Sequence, residues 1–363
     1  MTIFLVLAVY LVLLQISIPE SKKMKKSIWA AVGFVIVLAL RSPYCGVDVM
    51  GFGESGAHPL SYAGTFRRMS DFSFSDIIFN KGSVNRHMEL GWLLLTKFIS
   101  LFTHDIQVFL GIIAILQFIP IGYLIGKYSR NVVLSYIIFG CIGFYVLYFS
   151  GLRQALAISF LMLAFDQLYQ KRYGWFVIIT LLASSLHQSA LLFLVMWPLS
   201  LINLTSTAAL VFVVIMGALM PFYQKIIPIL LVLFNATMYN SYIEGGGQAI
   251  TMFLVYSVFL LISFINRSRD RLINLLRVLV LVGVVGQSLG ALSAGAITRI
   301  GFYFNVYLIL LLPETVISFK KNDRVIVNCV SVILLCVFFV LNTPEGLTSL
   351  NVNPYSFFWE SPE

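Results

Sequence analysis

The chain has 363 residues, of which 60% are hydrophobic and only 11% charged, and its mean hydropathy is +0.94. Soluble domains carry about 25% charged and about 45–50% apolar residues, so these values exclude a soluble enzyme, a disordered chain and a disulfide scaffold, and require a polytopic membrane protein. Lys and Arg total 24 against 15 Asp and Glu, a net charge of +9, but the excess sits in short clusters between apolar runs, a pattern of topology signals and anionic-lipid contact rather than of nucleic-acid binding.

In chain order, apolar segments fall near 2–18, 27–40, 90–103, 106–126, 132–149, 152–169, 174–186, 188–200, 207–222, 226–240, 249–265, 272–297, 299–317 and 325–341. A spanning helix needs about 20 residues, and runs of about 10–14 suit re-entrant or interfacial segments. The expectation is an all-α polytopic integral membrane protein of about 11–13 transmembrane helices, forming a single transmembrane domain over 1–363. Apolar runs this long exclude an outer-membrane barrel. The first segment lacks a preceding basic region and a small-residue cleavage site, and so reads as a retained span. The four cysteines, Cys45, Cys141, Cys329 and Cys336, form no CxxC pair and imply no structural disulfide.

Clusters at Lys22, Lys23, Lys25 and Lys26, at Lys171 and Arg172, at Arg267, Arg269 and Arg271, and at Lys320, Lys321 and Arg324 are expected on the cytoplasmic side. The N-terminus, a loop over 41–88 and a tail over 342–363 are then extracytoplasmic. Arg153, His187 and Arg299 fall at outside ends. Parity conflicts at one place: two apolar segments between residue 41 and the Lys127/Arg130 turn return that turn to the outside, whereas an outside Arg153 needs it inside. Either one segment between 88 and 149 is re-entrant or a traversal is hidden; 132–149, with Gly140 and Gly143 near its middle, is one candidate.

The 41–88 loop is the most polar region. It holds Arg41, Asp48, Glu54, His58, Arg67, Arg68, Asp71, Asp76, Lys81, Arg86 and His87 among Phe52, Tyr62, Phe66, Phe72 and Phe74. Its aromatic content argues against disorder, and a long loop of this kind points to substrate binding. Segment 71–79 suits a short amphipathic helix along the membrane surface.

Ionisable groups in or beside spans are expensive, which makes each a functional candidate. Arg41 ends the second apolar run in RSPYCGVD, where Pro43 and Gly46 turn the chain and bring Asp48 back toward it; alternatively Arg41 snorkels to lipid phosphates. Glu89 opens the next run in HMELGWLLL, either as a helix-start acid or as a base or partner for an arginine. Arg153 and Gln154 lie in FSGLRQALAISF, and the planar five-donor guanidinium suits phosphate oxygens. His187, in LLASSLHQSALLFL, is either a base near neutral pH or a packing hydrogen bonder among Ser184, Ser185 and Ser189. Arg299, Tyr303 and Tyr307 share one helical face, suited to a sugar-diphosphate cavity or to an arginine packed on aromatics. P-loop, GxGxxG, HExxH, DxD and GxSxG motifs are missing, so nucleotide hydrolysis, a metal and a cofactor are not expected. Several arginines with few acids and one histidine suit a lipid-linked pyrophosphate better than a cation.

The pattern resembles the bacterial oligosaccharide repeat-unit polymerases of the Wzy type, in the EpsG-like subgroup. The matching residues are Arg41 with Gly46–Asp48, Glu89–Gly91, Arg153–Gln154 with Ala155 and Ala157, His187 with Ser189 and Ala190, Arg299 with Tyr303, and Asn353–Pro354–Tyr355. Each motif is short; their joint order covers nearly the whole chain. The resemblance implies a membrane glycosyltransferase of GT-C-like architecture in the bacterial cytoplasmic membrane, with its site facing outside. Such enzymes take a polyprenyl-diphosphate-linked oligosaccharide as donor and a second one as acceptor, and build O-antigen, capsule or exopolysaccharide; a chain-length regulator is left open as a further partner. On this basis Arg153, Arg299 and Arg41, with Gln154, stabilise the diphosphate leaving group. His187 serves as base, with Asp48 or Glu89 as alternatives, and Tyr62, Phe66 and Tyr303 stack on sugars. A single displacement inverts the anomeric centre without a metal. The competing readings are an O-antigen ligase or another GT-C transferase, and a flippase or transporter of the lipid-linked oligosaccharide, which shares the need for a diphosphate site but commonly shows repeated halves.

Overall fold

A computed structural model describes residues 2–51, 58–233, 247–290, 298–349 and 351–360. Phe52 and Glu54 of the polar loop, and parts of the 226–240, 272–297 and 342–363 segments, lie outside the described residues. Among the described residues the chain is helical and forms no strand, with one isolated antiparallel bridge between Arg41 and Phe357. Among the described residues four helices are long and apolar enough to cross a membrane, or six if each of two bent pairs counts as one span, and five further apolar helices have 10–17 residues. This is an all-α polytopic membrane protein. The apolar runs outnumber the spanning-length helices because several fold as shorter helices, whose unpaired backbone ends are tolerated at membrane depth only where protein or water surrounds them.

The contacts fall into two compact units, 1–192 with 330–363, and 193–329. In the first, α1 (Thr2–Ser17) turns back along α2 (Lys23–Leu40), the Tyr10 hydroxyl donating to the Trp29 carbonyl and Lys26 Nζ to Gln15. Lys26 is fully buried and pairs with Glu20 at 2.6 Å, so it serves packing as well as charge balance. Short helices follow: α3 (Val47–Met50), α4 (Tyr62–Arg67), α5 (Phe74–Phe79) and α6 (Lys81–Asn85). The loop is tied by Asn85 to Thr65 and by Arg68 to the Pro59 and Val84 carbonyls. Ser73 and Asp76 close a capping box on α5, which buries Ile77 and leaves Phe74, Ile78 and Phe79 exposed.

The frame comprises α7 (Leu90–Ser100), α8 (Ile106–Tyr128), α9 (Val132–Cys141), α10 (Phe144–Ser150), α11 (Leu152–Tyr169) and α12 (Tyr173–Leu186). Lys23 Nζ donates to the Lys127 carbonyl at 2.9 Å. At the opposite end Gln107 donates to the Arg41 carbonyl at 3.0 Å. Helices α2 and α8 therefore lie antiparallel with matched ends, joined near the Lys23 end by Ser27, which bonds the Gly122 carbonyl, and sealed midway by the rings of Phe34, Phe118 and Tyr145. Gln117 reaches Leu152 and Lys127 reaches Asp166, so α11 runs parallel to α8.

This frame resolves the parity conflict. Both α2 and α8 meet at the Arg41 end, so α7 between them does not cross. Its 11 residues rise only about 16 Å, against a hydrocarbon core of about 30 Å. The segment 132–149 is not the re-entrant one: α9 and α10, bent by 60°, carry the chain from the Lys127 end to Ser150 at the Arg41 end. Gly143, with φ +86°, supplies the left-handed residue at that bend.

The second unit contains α13 (Met196–Leu199), α14 (Ser206–Leu233), α15 (Gly247–Ile262), α16 (Arg271–Gly290), α17 (Thr298–Asn305) and α18 (Leu308–Ile317), and the start of α19 (Lys321–Ser349), whose later turns belong to the first. The buried Arg277 donates to the Ser263 carbonyl at 2.6 Å, closing the break after α15.

Candidate functional site

Glu89 stands just before α7, where its backbone is extended and its carbonyl accepts from Leu93 N–H. Its side chain turns toward two distant segments. One carboxylate oxygen takes a hydrogen bond from Arg153 Nη1 on the first turn of α11. The other accepts from the Gln188 N–H at 3.0 Å and lies 3.1 Å from His187 Nδ1, without the alignment of a hydrogen bond but close enough to pair with the imidazole once it is protonated. Arg153 Nη1 also donates to the His87 carbonyl at 3.0 Å. Its Nε reaches the Tyr62 hydroxyl at 3.4 Å, and the guanidinium lies 5.8 Å from that ring's centre.

These contacts need α7 and α12 in close approach, since His187 terminates α12. Gly91 provides it: a Cβ there would sit 2.2 Å from Ser185 Oγ and 2.8 Å from the Ser185 carbonyl. The Glu89–Gly91 spacing thus places a carboxylate at the helix start and a contact point two residues on.

Burial by itself would raise the Glu89 pKa. The His187 contact, the Arg153 charge and the Gln188 N–H outweigh it and hold the carboxyl at about 2. Glu89 is therefore an anion that organises its neighbours, and a poor proton acceptor. Because this pKa lies below the ordinary 4.5, the pairing contributes fully above about pH 4.5 and is lost as pH falls toward 2. Thermal unfolding of wild type and Glu89→Gln across pH 3–7 checks this. The gap in Tm is expected to stay constant down to about pH 5 and then narrow. A gap that is constant throughout, or that widens in acid, contradicts it.

Asp48, half-buried, accepts from Ser150 Oγ at 2.8 Å. Burial of the Tyr62 phenol raises its pKa, Arg153 lowers it, and the Asp48 charge adds a smaller rise. Arg41 is 1% exposed. Its Nη1 donates to the Phe149 carbonyl at 2.6 Å and its guanidinium rests 5.1 Å from the Phe149 ring centre, so Asp48 turns to Ser150 rather than to Arg41. Gly46, with φ +111°, lets this turn pass: a Cβ there would lie 2.0 Å from the Phe149 carbonyl. Phe66 is 1% exposed and stacked on Phe109, a packing position rather than an open sugar face. Gln154 is buried beside Arg153. In the second unit Arg299 is exposed at the start of α17, whereas Tyr303 is 1% exposed and enclosed.

The structure thus unites Arg153, Glu89, His187 and Tyr62 with Asp48 close by. Reading the sequence missed Gln188 and Ser150, which hold the two carboxylates; a serine in an aromatic run and a backbone N–H carry no distinctive signal. Among the described residues no three His, Cys, Asp or Glu side chains gather as a metal-ligand set.

A model of the EpsG family matches residues 52–357. The chain is also similar to the EPS I polysaccharide export inner membrane protein EpsF of Ralstonia solanacearum, with 29% identity over 168 residues, 44% of this chain and 39% of that protein. The match therefore spans about two-fifths of that relative's length. No solved structure matches.

Proposed function

We propose, from the premise that this chain belongs to the EpsG family, that it acts in exopolysaccharide biosynthesis as a glycosyltransferase that couples polyprenyl-diphosphate-linked repeat units. The similarity to an inner membrane protein of polysaccharide export and the apolar helices support a multi-pass protein of the cytoplasmic membrane. The basic end of the first unit, with Lys23, Lys127, Lys171 and Arg172, faces the cytoplasm by the positive-inside rule. The Arg153 end then opens outside. Extension of this reading to O-antigen or capsule, and a chain-length regulator as partner, belong to the same proposal.

The observation that carries it is the convergence of Arg153 and His187 on one ionised carboxylate. With Nδ1 turned to Glu89, His187 keeps Nε2 for the acceptor hydroxyl, and Glu89 steadies the imidazolium that forms as it takes the proton. The hydroxyl oxygen attacks the anomeric carbon, the bond to the diphosphate oxygen breaks, and that oxygen leaves with the electron pair. Arg153 faces the charge growing on it, its fork matched to phosphate oxygens. In-line attack inverts the anomeric centre. Tyr62 and Asp48 border the sugar; Glu89 passes from candidate base to positioning residue. Arg299, exposed on its own unit, and Gln154, buried beside Arg153, remain phosphate-binding candidates, while the buried Arg41 holds the Phe149 carbonyl near the end of α10.

Purified full-length protein with a synthetic lipid-linked repeat unit tests this. A ladder of repeat multiples that persists with a chelator is expected. His187→Ala is expected to lower coupling by about 10²–10⁴-fold, the usual worth of a positioned base. Transfer to a different lipid acceptor points to a ligase, and movement across vesicles without coupling to a transporter.

A further inference from the structure

The residues after 350 return to the end of α2. Ser42 N–H donates to the Ser356 carbonyl at 2.8 Å, Phe358 N–H to the Leu40 carbonyl at 3.0 Å, and the Tyr355 hydroxyl to the Val37 carbonyl at 2.9 Å. The last carbonyls of a helix lack partners within it, and this strap supplies two of them. Beyond it the chain closes a tight turn, Phe357 N–H on the Glu360 carboxylate at 2.7 Å and Glu360 N–H on the Phe357 carbonyl at 3.1 Å.

The turn holds a run of rings. Phe357 and Trp359 are parallel to within 8° at 4.5 Å, and Phe358 meets Trp359 edge-on at 4.9 Å. The outer two stay in the open: Phe358 is 46% and Trp359 58% exposed. Grouped, exposed aromatics mark an interaction surface, and here the backbone fixes them in advance, so a ligand meets little ordering cost. Phe358, Trp359 and Glu360 lie beyond the residues matched by the family model.

An aromatic cluster on a membrane protein is also the form of an interfacial anchor. Beside such rings Lys or Arg adds attraction to an anionic bilayer, but residues 351–363 contain no Lys or Arg and carry Glu360 directly after Trp359. A carboxylate repels lipid phosphates and accepts hydrogen bonds from hydroxyls. Flat ring faces match the C–H face of a pyranose, with the same division of labour as in small-molecule sites: apolar walls and a few polar groups.

We propose that Phe357, Phe358, Trp359 and Glu360 form a carbohydrate platform at the Arg41 end of the first unit, which holds the glycan by ring stacking. That the glycan is the growing polymer rests on the coupling reaction proposed above; the platform rests on the tail itself. Trp359 emission is read as the difference between wild type and Trp359→Phe, both full-length in nanodiscs. The probe is lipid-free polysaccharide from the producing strain, and brominated lipids report contact with the bilayer. A saturable spectral shift with polysaccharide and no quenching by brominated lipid are expected. In the coupling assay, Phe358→Ala/Trp359→Ala is expected to shift products toward short chains while the first coupling keeps its rate. Quenching by brominated lipid without a response to polysaccharide assigns the rings to the membrane and overturns the platform; an unchanged chain-length distribution overturns its assignment to the growing polymer. A response to polysaccharide from a wild type that makes no ladder leaves the platform standing and removes the polymerase reading.

Discussion

Arg153→Ala is expected to lower repeat-unit coupling by about 10²–10³-fold, the scale on which a pre-placed donor stabilises developing charge. The guanidinium is held by Glu89, the His87 carbonyl and the Tyr62 hydroxyl, so it is oriented before substrate arrives. Arg153→Lys keeps the charge but loses the fork, and should recover only part of the rate. Glu89→Gln removes the anion that holds both partners. Because the groups act as a unit, Arg153→Ala combined with Glu89→Gln should be little worse than Arg153→Ala alone. Band intensities in the product ladder, normalised to protein in the membrane, provide the measurement. Arg153→Ala at normal abundance with a normal ladder removes the mechanism.

Asp166→Ala is expected to destabilise the protein by about 2–4 kcal/mol, near the cost of stripping one partner from a buried pair. The Asp166 side chain is 3% exposed. It accepts from Lys127 Nζ at 2.7 Å, Gln170 Nε2 at 2.8 Å, Tyr123 OH at 3.1 Å and the Tyr128 hydroxyl. Lys127 is 34% exposed, so its ammonium turns to water and the loss stays below that of a fully enclosed pair. The hydroxyls of the exposed Tyr123 and the half-buried Tyr128 lose the acceptor they share. Asp166→Asn keeps acceptor oxygen and should cost about 1 kcal/mol, the worth of an ordinary hydrogen bond. Thermal unfolding in detergent reads both. The cluster joins α8 to α11 at the end opposite Arg153, so coupling per folded molecule should be unchanged in either variant; a selective loss of coupling would assign Asp166 to the chemistry.

Some of this was legible in the residues and some was not, for identifiable reasons. Membrane class follows from hydropathy, which is a property of each residue summed along the chain. Glu89, Arg153 and His187 stand out for a related reason: an ionisable group bordering an apolar run is costly wherever the run ends up, so it needs a partner. Reading the sequence found all three. It did not find that they are one another's partners, since they lie 64 and 98 positions apart and only the approach of α7 to α12 and α11 brings them together.

The same limit explains Arg41 and Phe66. Both sit in a polar, aromatic stretch that suggested a ligand surface, and both are enclosed, one on the Phe149 carbonyl and the other against Phe109. It explains α7 as well, whose apolar run looked like a traversal until the ends of α2 and α8 met on one side of it. By itself, then, the sequence determined that these segments are apolar helices in a membrane and that a few charges among them demand an explanation. Which apolar face meets lipid and which meets another helix was decided only by the tertiary structure, because hydrocarbon tails and leucine side chains are equally apolar surroundings and the choice between them leaves no mark on hydropathy.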